Sequence, residues 1–400
     1  MDLRSGKAFW PIQNGLIQSY PPLDQDLQTD VVVLGGGITG ALVSWHLIQA
    51  GASCVVLDRR DVASGSTSAS TAMLQYEIDT PLVQLSKMLG EQHASRSYLM
   101  CLQAIRDLEQ ISQVLETDVG FQKKHSLYLA SRPQDARGLQ KEHALRRKYG
   151  IEVELWDETT IAQHFPFRKS AALYSQEAAE VDPYRLCHAL LHSGTRQGVQ
   201  VFDRTEALSW DMDDTGVTVQ TDRNFSIRAR KMVFATGYEA QSMLRQKVVR
   251  LRNSYALVSE PLQDFTGWYE KALLWETARP YLYARTTTDN RILIGGEDET
   301  FRTLPFRERR IPFKQARLEN KFRELFPDIP LETAFSWAGT FGETRDGLAY
   351  IGEHPDFPQA YFALGYGGNG ITYSLLAAQM IRDRMVKGHH PDWEVFRFDR

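Results

Sequence analysis

Six consecutive positions, Gly35-Gly36-Gly37-Ile38-Thr39-Gly40, fit the spacing G-x-G-x-x-G, in which each glycine has a separate task at a pyrophosphate. The first permits a tight turn, the second lets phosphate reach the backbone, and the third lets a helix pack on the preceding strand. Amides and dipole at the start of that helix then meet the phosphate charge. Asp58, 23 residues after Gly35, stands where a carboxylate accepts hydrogen bonds from ribose hydroxyls. A second glycine turn, Gly365-Tyr366-Gly367-Gly368-Asn369-Gly370, points another helix start, at Ile371, toward a ligand. Such a positive end suits a group on which negative charge develops during reduction. For either loop the structural alternative is a plain glycine turn with nothing bound.

These residues act only if elements hold them. Val31-Val32-Val33-Leu34 is the apolar run of a strand buried on both faces, and it stops at the glycines. A helix over 38–50 carries Ala41, Leu42, Trp45 and Ile48 on one side, closes at Gly51, and leads to a second strand at 54–57. The result is a βαβ unit that binds a dinucleotide. NAD and FAD both use this unit; a flavin also needs later parts of the chain, and the second glycine turn supplies one. Residues 61–76 are Ser, Thr, Ala and Gly with little bulk, a composition that allows close backbone approach. Leu99, Leu102, Ile105, Leu108, Ile111 and Leu115 mark a long amphipathic helix over 91–116. Helices are expected at 133–149, 183–197, 312–326 and 371–386. Strands are expected at 126–130, 171–174, 199–202, 205–212, 217–221, 231–235, 255–259, 281–284, 291–295 and 361–364. Residues 1–28 lack a period and read as an extended surface arm. The fold class is α/β, α+β overall: a Rossmann-like dinucleotide-binding domain (1–88, 171–240 and 337–400) interleaved with a mixed-β-sheet substrate domain (89–170 and 241–336).

Composition narrows the class. Four hundred residues with 42% hydrophobic and 24% charged side chains describe an ordinary globular chain with a sizeable core. Forty-six basic against 50 acidic side chains give −4, no field to draw nucleic acid. No uninterrupted apolar run exceeds five residues, as at 360–364, against the roughly 20 a transmembrane helix needs. With no apolar leader at the N-terminus, the cytoplasm is the expected location. Cys54, Cys101 and Cys187 stand far apart without metal or disulfide spacing, so no metal site is expected.

The fingerprint, the segment Arg59-Arg60-Asp61-Val62-Ala63-Ser64-Gly65-Ser66-Thr67-Ser68 and the Ala235-Thr236-Gly237 strand end belong to a wider ordered set. It continues with Trp337-Ala338-Gly339, Thr344-Arg345-Asp346-Gly347, Ile351-Gly352 and the late glycine turn. Together they resemble the FAD-dependent amino-acid/amine oxidase family of glycine oxidase, sarcosine oxidase and D-amino-acid dehydrogenase. The gamma-glutamylputrescine oxidase-like members are the nearest in flavour, and the likeness runs from about residue 28 to 388. The resemblance implies FAD between the two domains. Gly35, Gly37, Ile38, Thr39 and Gly40 would hold the pyrophosphate, Asp58 and Arg59 the adenosine side, and Ala207 the adenine. Ser66, Thr67, Ala72, Met73, Leu74, Ala235, Gly237 and Gly342 would line the cofactor, and Gly367, Gly368, Asn369, Gly370, Ile371 and Thr372 would close over the flavin pyrimidine.

Departures from the family pattern bear on the substrate. Glycine oxidase-like members grip a substrate carboxylate with arginines at positions that are Phe341 and Gly368 here, which shifts the expectation from amino acids to amines. Arg252, Arg285 or Arg345 would have to supply any replacement. Covalently flavinylated relatives use a Cys or His where this chain has Phe341-Gly342 and Ser68-Ala69, so FAD is expected to be non-covalent. The oxygen-activating Lys of sarcosine oxidase-like members is replaced by Ile292 and Leu293, leaving open whether O₂ or another acceptor takes the electrons. Amine oxidation needs a neutral amine with its C–H aimed at the flavin and no obligatory base at carbon. Tyr255, Tyr283, Trp337 and Tyr366 are the expected aromatic walls that desolvate that amine. The reading is an FAD-dependent oxidoreductase converting an amine, polyamine-derived or N-alkyl, to an imine. A D-amino-acid or glycine-type enzyme, a non-catalytic flavin-binding redox subunit and an NAD-dependent dehydrogenase stand as alternatives.

Overall fold

The computed structural model describes residues 3–400. The apolar half of the strand Leu27–Leu34 is buried, as a central parallel strand requires. Val33 stands opposite Val56 of Cys54–Leu57 on one side and Val233 of Ser226–Phe234 on the other, both pairings parallel. Among the described residues eight strands form this sheet, in the order Tyr350–His354, Phe357–Leu364, Ser226–Phe234, Leu27–Leu34, Cys54–Leu57, Gln200–Phe202. Gly216–Thr221 and Ala207–Asp213 hang from Ser226–Phe234 as an antiparallel ribbon. The helix Ile38–Gln49 packs between Pro183–Thr195 and Gly370–Lys387, so both glycine turns open on one side of the sheet.

A second, mixed sheet of ten strands runs in the order Arg4–Gly6, Thr333–Glu343, Arg250–Ser259, Ile292–Thr300, Leu282–Thr286, Leu273–Glu276, Gln122–Leu129, Ala171–Glu180, Met73–Gln75, with Glu154–Asp157 beside Ala171–Glu180. The helix Leu304–Leu325 covers one face with Ile311, Leu318, Phe322 and Leu325. It starts eight residues before the expected position because Thr303 caps the Phe306 amide and Pro305 fits the first turn, which leaves Pro312 inside the helix. The long helix expected over 91–116 is Glu91–Val114.

The N-terminal arm differs from the expectation of an irregular extended segment. Arg4–Gly6 adds an edge strand with Ser5 opposite Ala338, and Phe9–Asn14 is a short helix. Burial of Phe9 and Trp10, with the Trp10 indole N–H donating to the Ser70 carbonyl at 2.7 Å, pins it to the segment expected to line the cofactor. Sheet membership also departs from the expected boundaries at 171 and 337. Ala171–Glu180 and all of Thr333–Glu343 pair in the ten-stranded sheet, since a short apolar run does not reveal which of two sheets it joins.

A buried ion cluster braces this region. The fully buried Arg146 guanidinium donates to Glu142 at 2.9 Å, to Glu77 at 3.1 Å and to the Tyr76 hydroxyl at 3.1 Å. Glu142 in turn accepts the Leu82 and Val83 amides at 2.8 and 2.9 Å, which satisfies the start of the helix Leu82–Leu89.

Candidate functional site

The first strand ends at Leu34, and the chain turns through Gly35 at φ +110°, where a Cβ would sit 2.4 Å from the Ala235 carbonyl oxygen. At Gly40 a Cβ would lie 1.8 Å from the Gly35 carbonyl oxygen, so the helix packs on the turn backbone to backbone. The Ile38 amide donates to the Thr67 hydroxyl at 3.0 Å, which leaves the hydroxyl proton of Thr67 to donate onward at the helix start. Asp58 accepts the Gly36 amide at 2.8 Å and the Arg60 amide at 2.9 Å. Burial raises its carboxyl above the usual carboxylate range, with those two hydrogen bonds opposing the shift. Arg59 pairs with Glu239 at 2.5 Å and Glu206 at 3.4 Å beside Ala207.

The Ser66 and Thr236 hydroxyls and the Arg60 Nε are buried on this cavity wall without a protein hydrogen-bond partner. Buried polar groups of that kind call for a polar ligand. Glycine turns that admit backbone approach, two helix starts and these orphaned donors fit FAD.

The cavity runs between the two sheets. Its lining includes Gly35, Gly37, Ile38, Thr39, Asp58, Arg59, Ser66, Thr67, Ala72, Met73, Ala207, Ala235 and Gly237, together with Gly367, Gly368, Asn369, Gly370, Ile371, Tyr283, Trp337 and Tyr366. Five expected residues stand off it. Gly40 packs helix on turn, and Leu74 alternates into the core from the strand Met73–Gln75. Thr372 is buried in the helix Gly370–Lys387. Gly342 supports the late turn from behind, its carbonyl accepting the Gly367 amide at 3.0 Å. Tyr255 is the correction among the aromatic walls: Ser254 and Ala256 face the cavity, so strand alternation sends Tyr255 to the opposite core, where its hydroxyl donates to Glu299 at 2.5 Å.

The other three aromatics differ in what they offer. Trp337 spends its indole N–H on the Ala69 carbonyl at 2.8 Å. Tyr366 turns its hydroxyl toward Thr39 and Ser374, and burial raises its pKa. Tyr283, held neutral by burial that pushes its phenol up to about 12, places its hydroxyl 3.3 Å from Ser254.

Several residues that sequence reasoning missed complete this end. Asp79 accepts the Tyr281 hydroxyl at 3.2 Å and the Gly368 amide at 3.0 Å. Asn369 donates to the carbonyls of Gln75 and Glu77 at 2.9 and 2.8 Å, so the late glycine turn is latched to residues 75–79. Trp275, Tyr281 and Ser254 share the wall. No local signal marks Asp79, whose partner Gly368 lies 289 residues away.

None of the three arginines considered as a replacement clamp lines the cavity. Arg252 pairs with Glu343 at 2.8 Å, and Arg345 is exposed. Arg285 is buried, bonding the carbonyls of Thr71 and Val181 at 2.7 and 3.1 Å and pairing with Glu180 at 3.2 Å. Phe341 and Gly368, by contrast, do line it. Among the described residues no helix is long and apolar enough to cross a membrane, and no His/Cys/Asp/Glu group could hold a metal ion.

Comparison with known proteins places this geometry. The family model described as "DAO: FAD dependent oxidoreductase" matches residues 30–384. A glycine oxidase of Geobacillus kaustophilus is 26% identical over 374 residues, covering 88% of this chain and 92% of its own. The gamma-glutamylputrescine oxidoreductase of Escherichia coli is 21% identical over 386 residues, covering 94% and 88%. The crystal structure of L-proline dehydrogenase from P. horikoshii shares the fold with a TM-score of 0.77 at 17% identity, covering 94% of this chain and 99% of that one.

Proposed function

This chain belongs to the FAD-dependent oxidoreductase family, and from that premise we propose that it oxidises the C–N bond of an amine lacking an α-carboxylate, polyamine-derived or N-alkyl, to an imine that water then hydrolyses. One observation carries the reading. The end of the cavity holding Ser254, Trp275, Tyr281 and Tyr283 has Phe341, Gly368 and the Asp79 carboxylate where a bidentate arginine would grip a carboxylate. Bound FAD supplies a two-electron acceptor for the hydride leaving the substrate carbon. The residues named do the rest: aromatic walls exclude water and favour the uncharged amine, while the Asp79 latch fixes the late turn against the cavity. Residues Ser68, Ala69, Phe341 and Gly342 offer no Cys or His, which supports non-covalent cofactor binding. Three buried cysteines without disulfide partners support a cytoplasmic location. The electrons then pass to O₂ or another acceptor.

The test is anaerobic mixing of the purified yellow protein with a panel of amines and amino acids. Bleaching by amines supports the proposal. Bleaching by α-amino acids alone overturns the substrate class, and indifference to the whole panel favours a non-catalytic redox subunit.

A further inference from the structure

The reaction consumes a neutral amine, yet an alkylamine with an ordinary pKa near 10 arrives protonated at neutral pH. A proton must therefore leave the substrate nitrogen inside the site. Behind the cavity wall stands a carboxyl with the geometry to receive it. Ser254 faces the cavity from the strand Arg250–Ser259, and its hydroxyl lies 3.3 Å from that of Tyr283, which also faces the cavity. Across the ladder from Ser254, between the pairs Asn253–Glu299 and Tyr255–Gly296, the neighbouring strand Ile292–Thr300 carries the Asp298 carboxyl. Strand geometry brings Asp298 there: the ladder is regular at Tyr255 opposite Gly296, then shifts register before Asn253 opposite Glu299. Glu297, at φ +57°, occupies that bulge, which re-aims the side chain after it. Glu297 itself is buried against the helix Leu304–Leu325, where it pairs with Lys314, Arg317 and Lys321. One carboxyl oxygen of Asp298, Oδ1, is buried with no hydrogen-bond partner.

We propose that Asp298, acting through the Ser254 hydroxyl with Tyr283 beside it, takes up the proton of the substrate ammonium group. The inference rests on the amine reading above. The substrate R–NH₃⁺ gives a proton to the Ser254 oxygen as Ser254 passes its own to the Asp298 carboxylate. An N–H and an O–H bond break, two O–H bonds form, and the products are a neutral amine and a neutral carboxylic acid. Asp298 returns the proton to solvent after turnover. In this scheme Asp298 is a positioning residue for the proton, while Ser254 and Tyr283 touch the substrate.

The surroundings suit an acid that changes state near neutrality. Burial pushes the Asp298 carboxyl up to about 7, with the nearby Ser254 hydroxyl opposing the shift. Facing it are the carboxylates of Asp79 and Glu343, which raise it further, and the Arg279 guanidinium, which lowers it. Arg279 is itself bonded to the Asp79 carbonyl at 2.7 Å and stacked over Tyr281 at 4.6 Å, and Glu343 is paired with Arg252.

The test uses the FAD-loaded protein, with putrescine as the probe, in wild type, Asp298→Asn and Ser254→Ala. Anaerobic flavin reduction at limiting putrescine is followed from pH 6 to 10. In the wild type the rate falls tenfold per pH unit below about 7. Both variants move that acid limb up toward the amine's own pKa, so they are slower by about 10²-fold or more at pH 7.5 and converge on the wild type near pH 10. Asp298→Glu restores part of the rate at pH 7.5. Infrared difference spectra without substrate give a second readout: a protonated-carboxyl band titrating near pH 7 is present in wild type and absent in Asp298→Asn. An acid limb that stays in place in both variants, or a wild-type band that does not titrate between pH 6 and 8, overturns the relay. Failure of every amine in the panel to bleach the flavin at any pH overturns instead the amine reading beneath it.

Discussion

Replacing Gly40 with alanine tests the cofactor cradle at its tightest point. The new Cβ would sit 1.8 Å from the Gly35 carbonyl oxygen, whereas ordinary contact begins at 3.4 Å, so helix and turn must separate by about 1.6 Å. The turn has little room to retreat, because the Ala235 backbone lies so close behind Gly35 that even an added Cβ there would sit 2.4 Å from the Ala235 carbonyl oxygen. The start of the helix Ile38–Gln49 must move instead. It carries the Ile38 amide off Thr67 and Thr39 off Ser374, bonds now 3.0 and 2.8 Å long. Overpacking of this kind costs roughly 1–3 kcal/mol, and backbone against backbone belongs at or above the top of that range. The displaced amides should also weaken FAD retention at least about tenfold, ~1.4 kcal/mol. Gly138, in the helix Ala136–Lys148 with nothing within 4 Å of an added Cβ, is the matched control; alanine there should stabilise by roughly 0.5–1 kcal/mol. The assay is the flavin-to-protein absorbance ratio after gel filtration, with the thermal midpoint. Gly40→Ala protein that stays fully loaded and melts with the wild type would refute the packing argument.

Two further expectations concern stability. His46 and His188 are buried, and burial lowers each to about 4, so each stays neutral in the fold while its unfolded form titrates near 6.5. Their contribution is present above pH 6.5 and lost as pH falls toward 4, by about 2 kcal/mol each at pH 5. Urea denaturation at pH 7.5 and 5 should show a smaller drop in His188→Gln than in wild type; an equal drop would count against the burial argument. Arg146→Met leaves Glu77 and Glu142 buried without their cation and should cost roughly 3–5 kcal/mol in the same denaturation assay. A loss below about 1 kcal/mol would show that those carboxyls are relieved by protonation or water.

The nucleotide half of the site was legible because its signal is local. Glycine spacing, a β-branched strand before it, a helix after it and an acid at the end of the next strand all fall within residues 31–58. The substrate half depends on contacts that no local pattern encodes. Asp79 meets Gly368, and Ser254 meets Tyr283, through sheet and turn geometry. Tyr255 was assigned to the wrong face because a bulged strand can be read in either phase, and a one-residue slip exchanges its two faces. The helix expected over 312–326 begins instead at Leu304, because Pro312 looks like a start whereas the cap at Thr303 fixes the true one. The N-terminal arm gains its structure from distant partners: Arg4–Gly6 pairs with Thr333–Glu343, more than 300 residues downstream, and Trp10 bonds the Ser70 carbonyl.

The substrate claim is met most directly by a matched pair that differs in one group. Ornithine is putrescine with an α-carboxylate added, so the ratio of their anaerobic flavin-reduction rates reports on that group alone. With Phe341, Gly368 and Asp79 where a carboxylate clamp would stand, putrescine should reduce the flavin at least tenfold faster than either enantiomer of ornithine, about 1.4 kcal/mol in transition-state binding. Faster reduction by ornithine would contradict the account and require an arginine to reach the site.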